Sequence, residues 1–181
     1  HVDGLNVLID ACCGNDKQRS VPWAHQLQSK WLQNLASAGC EPEDIHLVLC
    51  THLHADHVGW NTRLEAGHWV PTFPNARYVM SRKEVEGAGV NAHELHTREA
   101  YADSVLPVIE AGQADLVDSH HCVHRAIEDG VSLHAAAGHP PATAVVPPGN
   151  SPEMVQVFDN AWYATTGSVG AWVIRTSAGI I

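Results

Sequence analysis

The sequence predicts a mixed α/β (or α+β) domain, on three observations. Short apolar runs that read as buried strands alternate with segments that read as helices. No stretch has the composition of a linker, a repeat or a low-complexity tract. The 181 residues, 45% hydrophobic and 17% charged, suffice to bury a core. One domain over residues 1–181 is therefore expected.

Residues 5–9 form the first apolar run, and the Asp3-Gly4 turn before it makes this the second half of a hairpin, so an earlier strand is expected upstream. "CCGNDKQRS" is a loop. Residues 22–38 read as a helix, because Trp23, Leu27, Trp31 and Leu35 recur every fourth residue and Gly39 supplies a stop. Residues 45–50, "IHLVLC", and 77–80 are short strands, and 81–86 start a helical turn. Residues 97–111 read as a helix with Tyr101, Val105, Val108 and Ile109 on its apolar side and a kink at Pro107. Residues 116–117 and 131–134 are further strands. Residues 143–146 and 154–158 are expected to pair across the turn-rich "PPGNSPE".

The formal charge of -10, without a basic run, argues against nucleic acid or an anionic membrane surface as partner. The apolar runs are far too short to span a bilayer, and residue 1 onward shows no signal-peptide pattern, so a cytoplasmic location is expected. Five cysteines (Cys12, Cys13, Cys40, Cys50 and Cys122) form no CxxC pair and read as free thiols of a reducing compartment. Fourteen histidines are the compositional oddity, since imidazole is the commonest metal ligand and the usual acid/base group near neutral pH.

Four of the groups that matter fall in "CTHLHADHVGW", residues 50–60. His52 and His54 are two apart and share a face in extended backbone. Asp56 and His57 follow where the chain turns toward a helix. Four N/O donors then converge, which suits zinc or another borderline divalent ion. The bland reading, a solvated loop with incidental histidines, does not account for the order H-x-H-x-D-H. His120, His121 and His124 are expected in a loop and read as solvated surface.

"THLHADHVGW" resembles the signature of the metallo-β-lactamase-fold hydrolases, and the resemblance extends from "VLIDACCG" to "AAAGHPP". "HVGWNTRLEAGHWVPTFPNARYVMSRKEVE" is most similar to the branch of N-acyl-homoserine lactonases and methyl-parathion-hydrolase-like enzymes. The resemblance implies an αββα sandwich, here incomplete at both ends, with one or two Zn2+ ions or other divalent metals at the edge of its sheets. It implies His52 and His54 on a first metal, completed by His139, and Asp56 and His57 on a second. It offers Asp159, after "MVQVF", as the bridging carboxylate; the bland alternative is a turn aspartate beside Asn160. The histidine that closes the second site in the family has no counterpart here.

The family segment G-H-T-P-G-H reads G-H-P-P-A-T at residues 138–143. Deleting the A from the second codon of CAC ACC CCC GGC CAC AGC GGT GGT gives CAC CCC CCG GCC ACA GCG GTG GT, which encodes H-P-P-A-T-A-V as found from His139 onward. Residues 140–181 also hold three charged side chains against 27 before them, and no histidine. A frame-shifted tail over 140–181 is the hypothesis, competing with "VFDNAWY" as a genuine lactonase-like segment. A coding DNA with no frame that continues G-H-T-P-G-H into a histidine-containing tail would rule it out.

The expected function is a metal-dependent hydrolase that directs an activated water at an ester, lactone or related bond of a small molecule, with Asp56 orienting that water or taking its proton. Two alternatives stand beside it: a non-catalytic or defective fragment of such an enzyme, and a mono-iron redox relative. Metal analysis discriminates all three. Substrate choice is expected to lie in residues 60–69 and 87–96, because fold and metal are shared across many chemistries.

Overall fold

In the computed structural model, residues 4–89 and 94–118 are described in full, with the backbone of strands at 121–122, 132–133, 153–158, 161–165, 170–176 and 179–180. The chain divides into two units, residues 1–134 and 135–181.

The first unit is built on a parallel sheet of β1 (Val7–Ile9), β2 (Leu47–Leu49), β5 (Arg77–Ser81) and β6 (Ala114–Val117), in that spatial order. Strands buried on both faces must be apolar throughout, and β2, Leu-Val-Leu, is buried at every position. Its alternation sorts the core. Val48 joins Tyr78 and Met80 on one face, and Leu47 and Leu49 join Val79 and Val117 on the other. The Val48 face is covered by α1 (Trp31–Ser37), α3 (Arg82–Ala88) and α5 (Leu106–Glu110), through Trp31, Leu35, Val85 and Val108. Among the described residues no helix is long and apolar enough to cross a membrane.

The strands expected at 5–9, 45–50, 77–80 and 116–117 are all present, as is the helix that starts after Ser81, whose hydroxyl accepts from the Glu84 N–H at 3.4 Å. The long helix expected over 22–38 is not. Pro22–Ala24 form one 3-10 turn, and α1 begins only at Trp31. Between them the chain pairs with the "GNDK" loop instead: Asp16 N–H donates to Leu27 O at 3.1 Å, Gln26 N–H to Lys17 O at 2.8 Å and Ser29 N–H to Asn15 Oδ1 at 2.8 Å. Those bonds need Gln26 at φ 47°, outside the helical region. Trp23, placed on the supposed buried stripe, is 59% exposed.

The second expected helix is divided in three: α4 (Leu95–Ala100), a π turn (Tyr101–Val105) and α5. Pro107 falls in the first turn of α5, where its missing N–H costs nothing to α5 itself. It does release the carbonyl four residues back, that of Asp103. That oxygen accepts from Lys17 Nζ at 3.2 Å and from the Thr62 hydroxyl.

Residues 60–69 contain a hairpin, β3 (Thr62–Glu65) and β4 (His68–Pro71), joined by Ala66 (φ 48°) and Gly67 (φ 84°). Two positive φ values in succession give the turn whose twist matches paired strands. The Trp69 ring then covers Lys17 Nζ at 3.6 Å, so this segment is a support as well as a pocket border. Two short strands, β7 (His121–Cys122) and β8 (Ser132–Leu133), pair antiparallel, so His121 lies in a strand rather than the loop expected for it.

The second unit has an antiparallel sheet of β9 (Glu153–Phe158), β10 (Ala161–Thr165), β11 (Gly170–Thr176) and β12 (Gly179–Ile180), each paired with its sequence neighbour. β9 pairs with β10, with a bulge at Ala161/Trp162. Its expected partner, residues 143–146, lies outside the described residues.

Candidate metal centre

The centre grows from the C-terminal end of β2, where side chains of a parallel sheet open onto a crevice. Leu53, 1% exposed, is driven into the core and anchors the loop. Its neighbours His52 and His54 are half-buried on the other side, rings 4.6 Å apart and nearly perpendicular. His54 has the extended backbone of a helix N-cap, and the single turn α2 (Ala55–Val58) follows. Ala55 and Val58 are buried, so the turn presents Asp56 and His57 on its remaining surface. The His57 ring lies 3.8 Å from that of His52, and its Nε2 is 3.4 Å from Asp56 Oδ2. His52 thus lies beside both His54 and His57, and Asp56 beside His57. His139 and Asp159 lie outside the described residues. Among the described residues no group of three or more His, Cys, Asp or Glu side chains stands ready to hold a metal ion.

A residue absent from the expected site set holds this arrangement. Asp10 follows β1 with φ 58° and is fixed by its N–H to Leu49 O at 2.9 Å. One carboxylate oxygen accepts from the Thr51 N–H at 2.8 Å. The other accepts from the Thr51 hydroxyl and from His57 Nδ1, both at 2.7 Å. Donation from Nδ1 leaves Nε2 as the ring nitrogen on the Asp56 side. The sequence signal was a carboxylate closing the strand parallel to β2, in "VLIDACCG".

The electrostatics follow from these contacts. The bond and charge of His57 hold Asp56 down at about 2, against partial burial. Burial alone would lower His57, but the bonds to Asp10 and Asp56 outweigh it and raise the imidazole to about 9. The three imidazoles and the carboxylates of Asp10 and Asp56 beside them are residue types whose chemistry suits a borderline divalent cation. Beside His54 a small cleft of about 130 Å³ is lined by Leu53, Lys83, Glu84, Gly87, Ala88 and Thr97.

The metallo-beta-lactamase superfamily model matches residues 2–158. The chain belongs to the metallo-beta-lactamase superfamily. Its mixed α/β architecture, with a parallel sheet covered by helices, is that expected from the signature. Among solved structures, this superfamily chain is similar to a probable metal-dependent hydrolase from Staphylococcus aureus, 26% identical over 65% of this chain and 41% of that one, with a TM-score of 0.50. An N-acyl homoserine lactone hydrolase, with its product N-hexanoyl-L-homoserine at the catalytic metal centre, is 13% identical over 96% of this chain and 56% of that one, TM-score 0.45. A dizinc quorum-quenching lactonase is 16% identical over 96% and 50%, TM-score 0.43. The chain therefore spans roughly 41% to 56% of the length of these structures. No curated protein matches it.

Proposed function

We propose that this chain carries the metal-binding nucleus of a hydrolase acting on an ester, lactone or related bond of a small molecule. The observation that supports this most directly is the crowding of His52, His54 and His57 at the end of β2, with Asp10 orienting the His57 ring through Nδ1. His52, His54, Asp56 and His57 would hold zinc or another divalent ion, joined by His139 and, where the tail of residues 140–181 is genuine, by Asp159. When bound, such an ion supplies Lewis acidity, lowering the proton affinity of water and stabilising negative charge on the scissile group. Asp56, 40% exposed and fully ionised near neutral pH, is placed to orient a water or receive its proton. Asp10 acts through His57 as a positioning residue.

The test is metal analysis and turnover on the full chain. Zinc content by elemental analysis is expected to reach at least one ion per chain, with ring opening of N-acyl homoserine lactones or hydrolysis of p-nitrophenyl esters that chelator removes and zinc restores. His52→Ala is expected to abolish tight zinc binding. No tightly bound metal together with no turnover would defeat the proposal. Asp10→Asn is expected to weaken zinc binding by about 10–100-fold, because a ligand's outer-shell carboxylate commonly contributes that much. Competition with a chromophoric chelator measures it, and an unchanged affinity would remove Asp10 from the positioning role.

A further inference from the structure

Cys12 and Cys13 lie outside the histidine cluster and have no part in the proposed hydrolysis. Both are free thiols, the first exposed and the second half-buried. In extended backbone two adjacent side chains face opposite ways. Here Cys12 has φ 43°, and both residues line one cleft of about 270 Å³. Leu27, Trp31 and Trp60 form an apolar, aromatic side of it, with Trp31 and Trp60 stacked at 5.8 Å, and Ser29, Lys30 and Asn34 add polar groups to the lining.

The loop that carries the thiols is held in place. Gly59 N–H donates to Cys12 O at 2.6 Å, Ala11 N–H to His57 O at 2.6 Å and Trp60 N–H to Ala11 O at 2.7 Å. Two thiols on adjacent residues of a loop with a held backbone, both lining one cleft, are within the reach of one ligand, and a ligand that takes both gains the effective concentration of the second.

We propose that Cys12 and Cys13 form a vicinal-dithiol site that captures an aryl-substituted trivalent arsenical, with its ring against Trp31 and Trp60. The step balances without a redox partner. In R–As=O plus two thiols, two As–S bonds form, the As=O bond breaks, and the oxygen leaves as water with both thiol protons; arsenic stays trivalent. Burial is the main cause that raises both thiols, with nearby carboxylates adding to it, so they are protonated at neutral pH. That slows attack on simple alkylating agents, whereas this ligand removes the protons itself. The other described cysteines differ from this pair: Cys50 is buried, and Cys40 is not its chain neighbour.

The probe is phenylarsine oxide on the full chain, read by intact mass after washing with excess 2-mercaptoethanol. The expected result is a mass gain of one phenylarsine oxide less one water, resistant to the monothiol, reversed by 2,3-dimercaptopropanol and accompanied by a change in tryptophan fluorescence. Cys12→Ser and Cys13→Ser are each expected to lose retention by at least about tenfold, the loss of the chelate term, while Cys40→Ser retains it. Circular dichroism confirms that each variant is folded, and Cys12→Ala and Cys13→Ala serve where a serine variant is not. A wild-type adduct that the monothiol strips, or one that survives in the Cys12→Ser/Cys13→Ser double variant, would overturn the proposal.

Discussion

Asp103→Asn is expected to lower the stability of the fold by about 3–5 kcal/mol, the usual cost of removing one partner from a buried ion pair. Asp103 answers two cations whose side chains are wholly buried. Arg19 grips it through both terminal nitrogens, at 2.5 and 2.8 Å, and Lys17 Nζ lies 3.7 Å from Oδ1. Ser104 Oγ donates to the same carboxylate at 2.6 Å. Asparagine keeps the shape and one acceptor but no charge, leaving both cations uncompensated. Lys17 has an escape: burial already draws it down to about 7, against the pull of Asp103, so it can shed its proton. Arg19 has none. The loss should therefore persist in a Lys17→Met background, reduced by the share that Lys17 carried. Urea midpoints at unchanged slope measure both. A loss below about 1 kcal/mol would mean that water or a backbone shift compensates Arg19.

The ion cluster also marks where the sequence was silent. Lys17 and Arg19 sit in a polar loop, "GNDKQRS", and nothing local shows that both side chains are fully buried. Their partner is 84 residues away from Arg19, on a π turn that only the freed carbonyl before Pro107 explains. What could be read was periodic or chemical. β2 is apolar throughout because both its faces are covered, and H-x-H-x-D-H names its own donors. The helix over 22–38 failed because four-residue spacing alone cannot tell a helix face from a loop that pairs with Asn15, Asp16 and Lys17. The β3–β4 hairpin escaped because Ala66-Gly67 is a weak turn signal compared with Asn-Gly.

The same contrast separates the proposed ligands from what aims them. His52, His54, Asp56 and His57 are contiguous, so their spacing carries information. Asp10 reaches His57 across 47 positions, and the contact exists only because β1 and β2 lie side by side in parallel register. The proposed metal-binding chemistry was thus read from ten residues, while the rigidity that such chemistry needs belongs to the sheet.

That rigidity concentrates at Gly59, and Gly59→Ala is the second large effect. Gly59 has ordinary helical angles, φ -58° and ψ -46°, so its need for glycine is one of space alone. A Cβ there would lie 1.8 Å from Cys13 C, 1.9 Å from Cys13 O and 2.4 Å from Gly14 N. All three are backbone atoms, so no rotamer change relieves the clash, and the loop of residues 11–14 must part from the α2 turn. That separation stretches the Ala11–His57 and Gly59–Cys12 bonds and moves Asp10 away from His57 Nδ1. We expect a stability loss of about 3 kcal/mol, at the upper end for overpacking, and zinc binding weakened by at least about tenfold as the tautomer lock loosens. Gly87→Ala is the control: it sits inside α3 with open space around the new methyl, and should be neutral or stabilising by about 0.5–1 kcal/mol through helix propensity. Thermal unfolding and chelator competition on the two variants distinguish the cases. If Gly59→Ala lost stability and kept wild-type zinc affinity, the loop would be a packing element only, and the line from β1 through Asp10 to His57 would not carry the site.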